Sequence, residues 1–317
     1  MTQIGNRIIT QIYDLSIKFR LCLMGVKNNV VKNEDGIAYY EGGSKFNDTI
    51  VLIHGFADSK NGHLMVAKKL LFQYRVLIPD LPGFGDNAKN SQENYSLSYM
   101  SDKVIDLLRE KKLEKVHLLG NSLGGAVAMD IASKMPELVK SLVLVGSAGF
   151  YRSDVRTVQN EILEGSYIFD VKSDHEFKLL VERLFARPPR IPRFLFSYFS
   201  KNFQAQGGWY RKLLDDLTAD VPADVLTDSI AEKSLDNSFN DQVKEFLMPT
   251  LLLWGEEDRF FPVEIAEFAN TIIPNSKLKI LKNAGHAPQH ENLVDYMDEL
   301  LIFLKESESN NYLAGDI

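Results

Sequence analysis

The sequence predicts an α/β protein with a doubly wound, mostly parallel sheet, helices on both faces and one inserted helical cap. Short apolar runs typical of buried strands alternate with helical stretches between residues 36 and 148. The alternation then stops, and helical stretches punctuated by prolines continue to residue 247, before two further strand-like runs. We therefore divide the chain into a core of residues 31–148 and 248–306 and a cap, or lid, of residues 149–247.

The individual elements follow from the length and period of the apolar runs, and the polar tail of residues 307–317 is expected to fray. The predicted strands cover Ile37–Glu41, Thr49–Ile53, Arg75–Pro79, Lys115–Leu119, Ser141–Val145, Thr250–Trp254 and Lys277–Leu281. The predicted core helices cover Tyr99–Lys111, Gly125–Met135 and Leu293–Lys305, and the cap helices include Val155–Leu163, Asp174–Ala186 and Tyr210–Leu217.

Composition narrows the class of protein. The 317 residues are 45% hydrophobic and 25% charged, which is ordinary for a globular protein with a sizeable core. The net charge of −7 argues against a nucleic-acid partner. A single cysteine, Cys22, excludes an intramolecular disulfide and a cysteine-rich metal site. There is no stretch of about 18 apolar residues and no signal-peptide pattern, so we expect a cytoplasmic protein.

Residues 1–30 are predicted to form an amphipathic helix. Its apolar residues are three or four positions apart, which places them on one face. We expect this face to pack on the protein's own core or on a second copy in a homodimer, because amphipathic helices usually bury their apolar side. The alternative is peripheral contact with a membrane or lipid surface. The apolar face consists of Ile4, Ile8, Ile12, Leu15, Phe19 and Leu23, and the segment's basic residues are Arg7, Lys18, Arg20 and Lys27.

Ser122 lies in a tight turn between a predicted strand and a predicted helix. Gly120, Ser122 and Gly124 fit the pattern G-x-S-x-G, the nucleophile elbow. Where a strand turns directly into a helix, the residue at the centre of the turn is forced into strained backbone geometry. The turn also leaves no room for side chains on the neighbouring residues. The turn would hold the serine hydroxyl at the carboxyl end of the sheet, at the positive end of a helix dipole.

A serine hydroxyl is a weak nucleophile at neutral pH, so it needs a general base and an acid that orients the base. Both should follow neighbouring strands, because open α/β sheets place their sites at the carboxyl ends of strands. Asp258 and His286 occupy such positions after the last two predicted strands, whereas His117 lies inside a strand and is expected to be a packed core residue. The alternatives are Glu256 or Glu257 for the acid and His290 for the base.

The negative charge that develops on a tetrahedral intermediate needs hydrogen-bond donors placed in advance. The turn itself supplies one donor, the backbone N–H of Leu123. The second is expected from the loop after the strand that ends at Ile53, where Gly55 allows close approach and Phe56 offers its N–H. A strand-ending turn without this role is the alternative for that loop. Chemistry of this kind requires no metal and no organic cofactor.

Several segments together resemble the α/β-hydrolase superfamily over about residues 36–306, and the order Ser122, Asp258, His286 is also its order. The resemblance implies an eight-stranded, mostly parallel sheet with a helical cap between strands six and seven. It also implies that Asp80, with its neighbouring glycines, forms a structural turn outside the site. The segments are HGF at 54–56, PDLPGFG at 79–85, GNSLGG at 120–125, WGEEDRFFP at 254–262 and NAGHAPQHE at 283–291.

Within that superfamily the sequence is most similar to bacterial family V lipases and to monoacylglycerol lipases with an α/β-hydrolase domain. They share the amphipathic or anchored N-terminus, the length and a cap end like residues 208–213. The sequence also resembles meta-cleavage carbon–carbon hydrolases, but their oxyanion loop is longer and richer in glycine and proline. Haloalkane dehalogenases are similar in fold but carry an aspartate where this chain has Ser122.

These features predict a serine carboxylester hydrolase, an esterase or lipase, whose partner is a small-molecule acyl ester such as a monoacylglycerol. A carbon–carbon bond hydrolase on the same triad is the alternative, and the complete set of site residues disfavours a non-catalytic binding protein. The apolar run from Arg190 to Phe199 in the cap favours an acyl-binding wall, with packing of the cap on the core as the alternative. The predicted substrate-binding residues are Phe194, Phe196 and Phe199.

Overall fold

The computed structural model describes residues 3–29, 36–219 and 239–313, with side chains described from residue 9 to residue 309 within these ranges. The predicted boundary near residue 30, the cap residues 220–238 and the tail residues 314–317 lie outside the described residues, as do the side chains of Ile4 and Ile8.

The described strands form one eight-stranded sheet in the order β1-β2-β4-β3-β5-β6-β7-β8. β2 is antiparallel to both β1 and β4, and the other neighbouring strands are parallel. The predicted α/β-hydrolase fold is therefore confirmed, and only β1 has no counterpart among the predicted strands. The strands are β1 Lys27–Asn29, β2 Tyr39–Gly42, β3 Thr49–Ile53, β4 Arg75–Pro79, β5 Val116–Asn121, β6 Val139–Val145, β7 Thr250–Gly255 and β8 Ser276–Leu281.

The described helices flank the sheet and fill the insertion between β6 and β7, where the strand pattern stops in the sequence. The helices are α1 Gln3–Met24, α2 Leu64–Leu70, α3 Leu97–Glu110, α4 Leu123–Lys134, α5 Val158–Leu163, α6 Asp174–Leu184, α7 Arg193–Gln204, α8 Gly207–Thr218, α9 Val263–Ile272, α10 Pro288–Glu291 and α11 Leu293–Leu313. Short 3₁₀ turns cover Lys60–His63, Pro136–Leu138 and Gln242–Glu245.

The central strands β2 to β7 are buried at nearly every position, as expected for strands covered on both faces, whereas the edge strands β1 and β8 are largely exposed. Along β3, Val51 and Ile53 pack into one core cluster with residues of α3, α4, α9 and the cap. Ile50 and Leu52 point to the other face and pack with residues of α2 and α11. All four side chains are fully buried. This arrangement fixes the strand register, since a shift by one residue would exchange the two faces.

Helix α1 packs on the second face of the sheet through Leu21, with Ile17 and Met24 half-buried beside it. The predicted apolar face points the other way. Its described members are 63–72% exposed, so the expectation that this face packs on the protein's own core is wrong for them. Sequence spacing identifies an apolar stripe but not the direction in which it points. The exposed members are Ile12, Leu15, Phe19 and Leu23.

The helical insertion contacts the main domain through α8. The Trp209 indole N–H donates to the Gly83 carbonyl at 2.8 Å, and Lys212 Nζ donates to the Glu93 carbonyl at 2.7 Å. The Tyr95 N–H donates to Asp216 Oδ2 at 2.9 Å. These polar contacts hold the described part of the cap over the carboxyl ends of the strands.

The last helix, α11, is longer than predicted. It continues to Leu313, so the expectation that the tail frays is wrong for residues 307–313. Ser307 is buried and donates to the Phe303 carbonyl, while the Tyr74 hydroxyl donates to Glu308 Oε1 at 2.8 Å. Polar composition conceals the contact of Glu308, because its partner Tyr74 lies far away in the sequence.

Candidate active site

Ser122 occupies a strained turn between β5 and α4. Its φ of 54° and ψ of −119° lie in a backbone region that residues with a side chain rarely adopt. Gly124 faces the Ile53 carbonyl oxygen at the end of β3, and a Cβ there would clash with that oxygen. A Cβ on Gly120 would clash in turn with the Gly124 carbonyl. The two glycines of G-x-S-x-G are therefore required by the close approach of three backbone segments.

Asp258 and His286 form a buried pair at the same edge of the sheet. His286 Nδ1 lies 2.8 Å from Asp258 Oδ2. Asp258 Oδ1 accepts the N–H groups of Phe260 at 2.8 Å and Phe261 at 3.0 Å, which fixes the carboxylate. Because an ionised carboxylate only accepts, Nδ1 carries the proton and Nε2 has the lone pair of a general base. The alternative acids after the same strand, Glu256 and Glu257, are both exposed.

The loop after β6 connects this pair to the elbow. The Ser122 N–H donates to the Val145 carbonyl at 2.9 Å, and the Ala148 N–H donates to the Ser122 carbonyl at 3.1 Å. Between them, a Cβ on Gly146 would lie 3.0 Å from Asp258 Oδ2 and 3.1 Å from His286 Nδ1. Within the described residues, Ser122 Oγ forms no hydrogen bond. Hydrogen bonds between nucleophile and base often tighten only when substrate binds.

His54 orients the peptide that carries the predicted oxyanion donor. The Leu81 N–H donates to His54 Nε2 at 2.9 Å, so the proton of the neutral, fully buried ring lies on Nδ1. Nδ1 therefore donates to the Gly55 carbonyl oxygen at 2.7 Å. In a trans peptide the N–H points away from the C=O, so the Phe56 N–H points away from His54. The HGF motif in the sequence does not indicate that His54 orients this peptide.

Both predicted oxyanion donors are available. In the part of the chain that the structure describes, neither the Phe56 N–H nor the Leu123 N–H donates to a protein group. The Phe56 loop lies against the elbow, since a Cβ on Gly55 would be 3.1 Å from Ser122 Cβ. Two unused N–H groups beside a serine are what a developing oxyanion requires.

Asp80, which the sequence places outside the site, has a structural role. It is fully buried and contacts Lys60 Nζ. Its carboxylate also accepts the N–H groups of Lys60 at 2.7 Å and Asp86 at 2.9 Å. Gly85 has a φ of 57°, and a Cβ there would clash with the Asp80 carboxylate. The aspartate thus holds the turn after β4 and is not free for catalysis.

Aromatic side chains form a continuous wall beside the site. The His286 ring lies 4.8 Å from Phe260, and Phe260 lies 6.1 Å from Phe169. Phe169 is 4.7 Å from Phe56, whose N–H is the predicted oxyanion donor. From Phe56 the contacts continue into the cap with ring separations of 5.1–5.6 Å. We call this set the aromatic wall: Phe56, Phe169, Phe177, Phe196, Phe203, Tyr210 and Phe260.

The predicted substrate-binding residues occupy different positions relative to this wall. Phe196 lies at its far end, 5.3 Å from Phe177. Phe199 is half-buried beside Tyr198, and Phe194 is 55% exposed on the outer part of α7. The wall members nearest the site come from scattered positions that sequence spacing does not connect.

Glu291 joins the His286 loop to the cap. Its Oε2 accepts the Gly285 N–H at 2.6 Å, and its Oε1 accepts the Arg187 N–H at 2.9 Å. The His286 N–H donates to the Leu184 carbonyl at 2.9 Å. The cap segment of residues 184–187 therefore contacts the His286 loop at two points. The NAGHAPQHE segment contains Glu291, but only the fold reveals what its carboxylate binds.

His290, the alternative base, lies on α10 and is exposed. It lines a cleft of about 710 Å³ between the cap segment and the His286 loop. The lining of this cleft includes neither Ser122 nor Phe56. The geometry therefore favours His286 as the partner of Asp258. The cleft is lined by Phe185, Arg187, Pro189, Asn283, His290, Glu291 and Asn292.

An eight-stranded, mostly parallel sheet with a serine elbow after its fifth strand defines the α/β-hydrolase class. Residues 48–293 match the family described as alpha/beta hydrolase fold, and the chain belongs to that family. The resemblance seen in the sequence motifs is thereby confirmed.

Three comparisons place the chain among known proteins. Lipase 1 of Psychrobacter immobilis is 28% identical over 280 residues, which cover 88% of this chain and 83% of that protein. A solved membrane phospholipase A, described as a bacterial virulence factor, matches with a TM-score of 0.84 and 28% identity over 95% of this chain and 93% of that one. A meta-cleavage product hydrolase from Pseudomonas fluorescens IP01 matches with a TM-score of 0.71 and 22% identity, over 89% and 98% of the chains, a likeness in fold alone.

Replacing His54 by alanine should lower kcat about 10- to 100-fold with little change in KM, because the Phe56 donor loses its fixed orientation. Steady-state hydrolysis of p-nitrophenyl butyrate measures both constants. His63→Ala is the matched control, since His63 is a second buried histidine whose ring does not bind the Gly55 carbonyl. Equal losses in both variants would indicate a general effect of emptying a buried site.

Replacing Glu291 by alanine should lower kcat for short esters about tenfold, because the His286 loop loses its attachment to the cap. Glu291→Gln keeps one carbonyl acceptor and should lie between alanine and the native protein. Glu256→Ala, on the exposed part of the Asp258 loop, is the control. A kcat of Glu291→Ala that matches this control, at unchanged melting temperature, would contradict the positioning role.

Proposed function

We propose that this protein is a serine carboxylester hydrolase of the esterase and lipase type. The observation that carries the proposal is the buried Asp258–His286 pair beside a strained Ser122, with two unused backbone N–H groups next to the serine. The names of its relatives, a lipase and a membrane phospholipase A, support ester hydrolysis as the reaction.

The proposed reaction gives a role to each group. His286 Nε2 takes the proton from Ser122 Oγ as the oxygen attacks the ester carbonyl. The Phe56 and Leu123 N–H groups stabilise the oxyanion, and His286 then protonates the departing alcohol. Water, activated by the same histidine, hydrolyses the acyl-enzyme and restores Ser122. Asp258 stabilises the imidazolium and holds its tautomer.

The aromatic wall favours an acyl chain as the part of the substrate that the protein recognises. It extends from His286 past the oxyanion loop into the cap, so an apolar chain esterified to Ser122 would lie against ring faces. Such a wall excludes water and offers few polar groups, which favours acyl chains over polar substrates. Monoacylglycerols and medium-chain esters fit this description.

We further propose that α1 attaches the protein to the surface of a lipid membrane. Its exposed stripe runs along the helix on the side away from the core, and Lys18 and Arg20 lie beside it. The Thr10 hydroxyl lies 2.8 Å from the Tyr198 hydroxyl on α7, so the stripe begins next to the cap. Across residues 3–29, 36–219 and 239–313, no helix combines the length and hydropathy of a membrane-spanning segment. A helix that lies in the membrane interface needs neither that length nor that hydropathy.

Replacing Ser122 by alanine should reduce ester turnover at least about 10⁴-fold and abolish labelling by a fluorophosphonate probe. Aryl esters of rising chain length and a vinylogous 1,5-diketone form the substrate panel. Ser147→Ala, a buried serine beside the elbow, should keep both labelling and activity. Negligible ester turnover with cleavage of the diketone would instead identify a carbon–carbon bond hydrolase.

Changing the four exposed residues of the α1 stripe to serine should reduce binding to anionic phosphatidylglycerol vesicles at least about tenfold, because each apolar side chain contributes about 1.5–3 kcal/mol on full burial. Cosedimentation measures the bound fraction. The control changes four separate exposed apolar residues to serine, namely Phe46, Phe72, Leu247 and Val294.

A second measurement separates the lipid surface from the other occupant of this stripe. Light scattering during size-exclusion chromatography reports the oligomeric state of both variants. Unchanged vesicle binding together with the loss of a dimer would show that the stripe is covered by a second copy of the chain.

A further inference from the structure

Three side chains that the proposed reaction does not use meet at the opposite end of the sheet from Ser122. Asp48 lies directly before β3, His117 is the second residue of β5, and Glu308 lies near the end of α11. One ligand atom of each residue lies within 4.8 Å of the others. The cluster therefore joins the start of two central strands to the C-terminal helix.

His117 presents an unpartnered nitrogen to this cluster. The side chain is fully buried, and its Nδ1 lies 2.7 Å from Ser141 Oγ. Among the described residues, Nε2 has no hydrogen-bond partner, and Glu308 Oε1 at 3.9 Å is too far away for one. A buried polar atom without a partner is unfavourable, so it calls for a physical explanation.

The state of the ring favours coordination. When Nδ1–H donates to Ser141 Oγ, the lone pair of the ring lies on Nε2 and faces the two carboxylates. A neutral imidazole whose other nitrogen is held by a hydrogen bond is the usual form of a metal-binding histidine.

We propose that Asp48, His117 and Glu308 bind a divalent transition-metal ion, with Zn²⁺ as the best match. One imidazole nitrogen and two carboxylate oxygens form a ligand set that Zn²⁺ accepts, with water completing a tetrahedron. Ligand atoms of such a site are about 3.3 Å apart, given metal–ligand distances of about 2.0–2.2 Å. Closing the cluster thus requires movements of about 1 Å, which the two partly exposed carboxylates, Asp48 at 47% and Glu308 at 32%, can make.

The surroundings supply partners that orient the ligands. The Tyr74 hydroxyl donates to Glu308 at 2.8 Å, and Ser141 holds the ring of His117. Lys140 Nζ donates to Asp48 Oδ2 at 2.7 Å, which leaves the other carboxylate oxygen for the metal. Partners of this kind fix tautomer and direction around metal sites. Because Asp48 is exposed, a metal ion can reach the cluster from solvent.

A metal here would have a structural effect, because it would tie α11 to β3 and β5 far from the reacting serine. Ester hydrolysis would proceed without it. The site is therefore tested by binding and thermal stability of the full chain, and the outcome does not depend on whether the proposed hydrolase activity is found.

Isothermal titration of EDTA-treated protein with ZnCl₂ should show one site per chain, and added Zn²⁺ should raise the melting temperature. Glu308→Gln and Asp48→Asn keep the shape of each side chain and should weaken binding at least about tenfold. Glu306→Gln removes a neighbouring α11 carboxylate that pairs with Lys277 instead, and this control should bind like the native chain.

Cobalt provides an independent readout of the ligands. Co²⁺ bound to the native protein should give visible absorption bands of a tetrahedral site, and these should disappear in His117→Gln. If His117→Gln does not fold, the two carboxylate variants retain the test. The proposal is overturned if the native chain binds Zn²⁺ no more tightly than a Glu308→Gln, Asp48→Asn double variant.

Discussion

The close approach of three backbone segments at the elbow is the constraint on which the site depends. Gly124, at the start of α4, lies against the carbonyl that ends β3, and Gly120 lies against Gly124. Because no side chain separates them, the loop that follows Ile53 is brought directly beside Ser122. The two proposed oxyanion donors, which come from two different loops, can then serve one reacting carbonyl. The strained φ of Ser122 is the local cost of this compactness, and the surrounding strand pairs hold it in place.

His286, the proposed base, is held by a different set of contacts, and these involve the cap. Leu184 accepts the His286 N–H, and Glu291 connects the Gly285 and Arg187 amides. A Cβ on Gly285 would lie 2.7 Å from Ala186 N, so this loop and the cap segment pack without an intervening side chain. Movement of this cap segment would therefore shift His286, the proposed general base. In this arrangement the cap contributes to the geometry of the proposed reaction.

Most of the fold could be predicted because its signals are local. A short parallel strand followed by a turn is visible in sequence, and Ser122, Asp258 and His286 each follow such a strand, although the strand before His286 is largely exposed. The role of His54 could not be predicted, because it depends on a hydrogen bond from Leu81 that fixes the ring tautomer. Glu291 and the aromatic wall depend on contacts between the cap and the core, which sequence spacing does not report. The direction of the α1 stripe and the ordered end of α11 were missed for the same reason: tertiary contacts decide both.

The two helices at the ends of the chain illustrate how one sheet face can serve separate purposes. Both α1 and α11 pack on the face opposite the cap-side core, with Leu21 and Phe303 in the same cluster. Yet α1 also reaches Tyr198 on the cap through Thr10, so a surface that binds its outer stripe would hold the cap side of the molecule close to that surface. An ester drawn from such a surface would then have a short path to the aromatic wall. The orientation of α1 thus connects where the protein would bind with which substrates could reach Ser122.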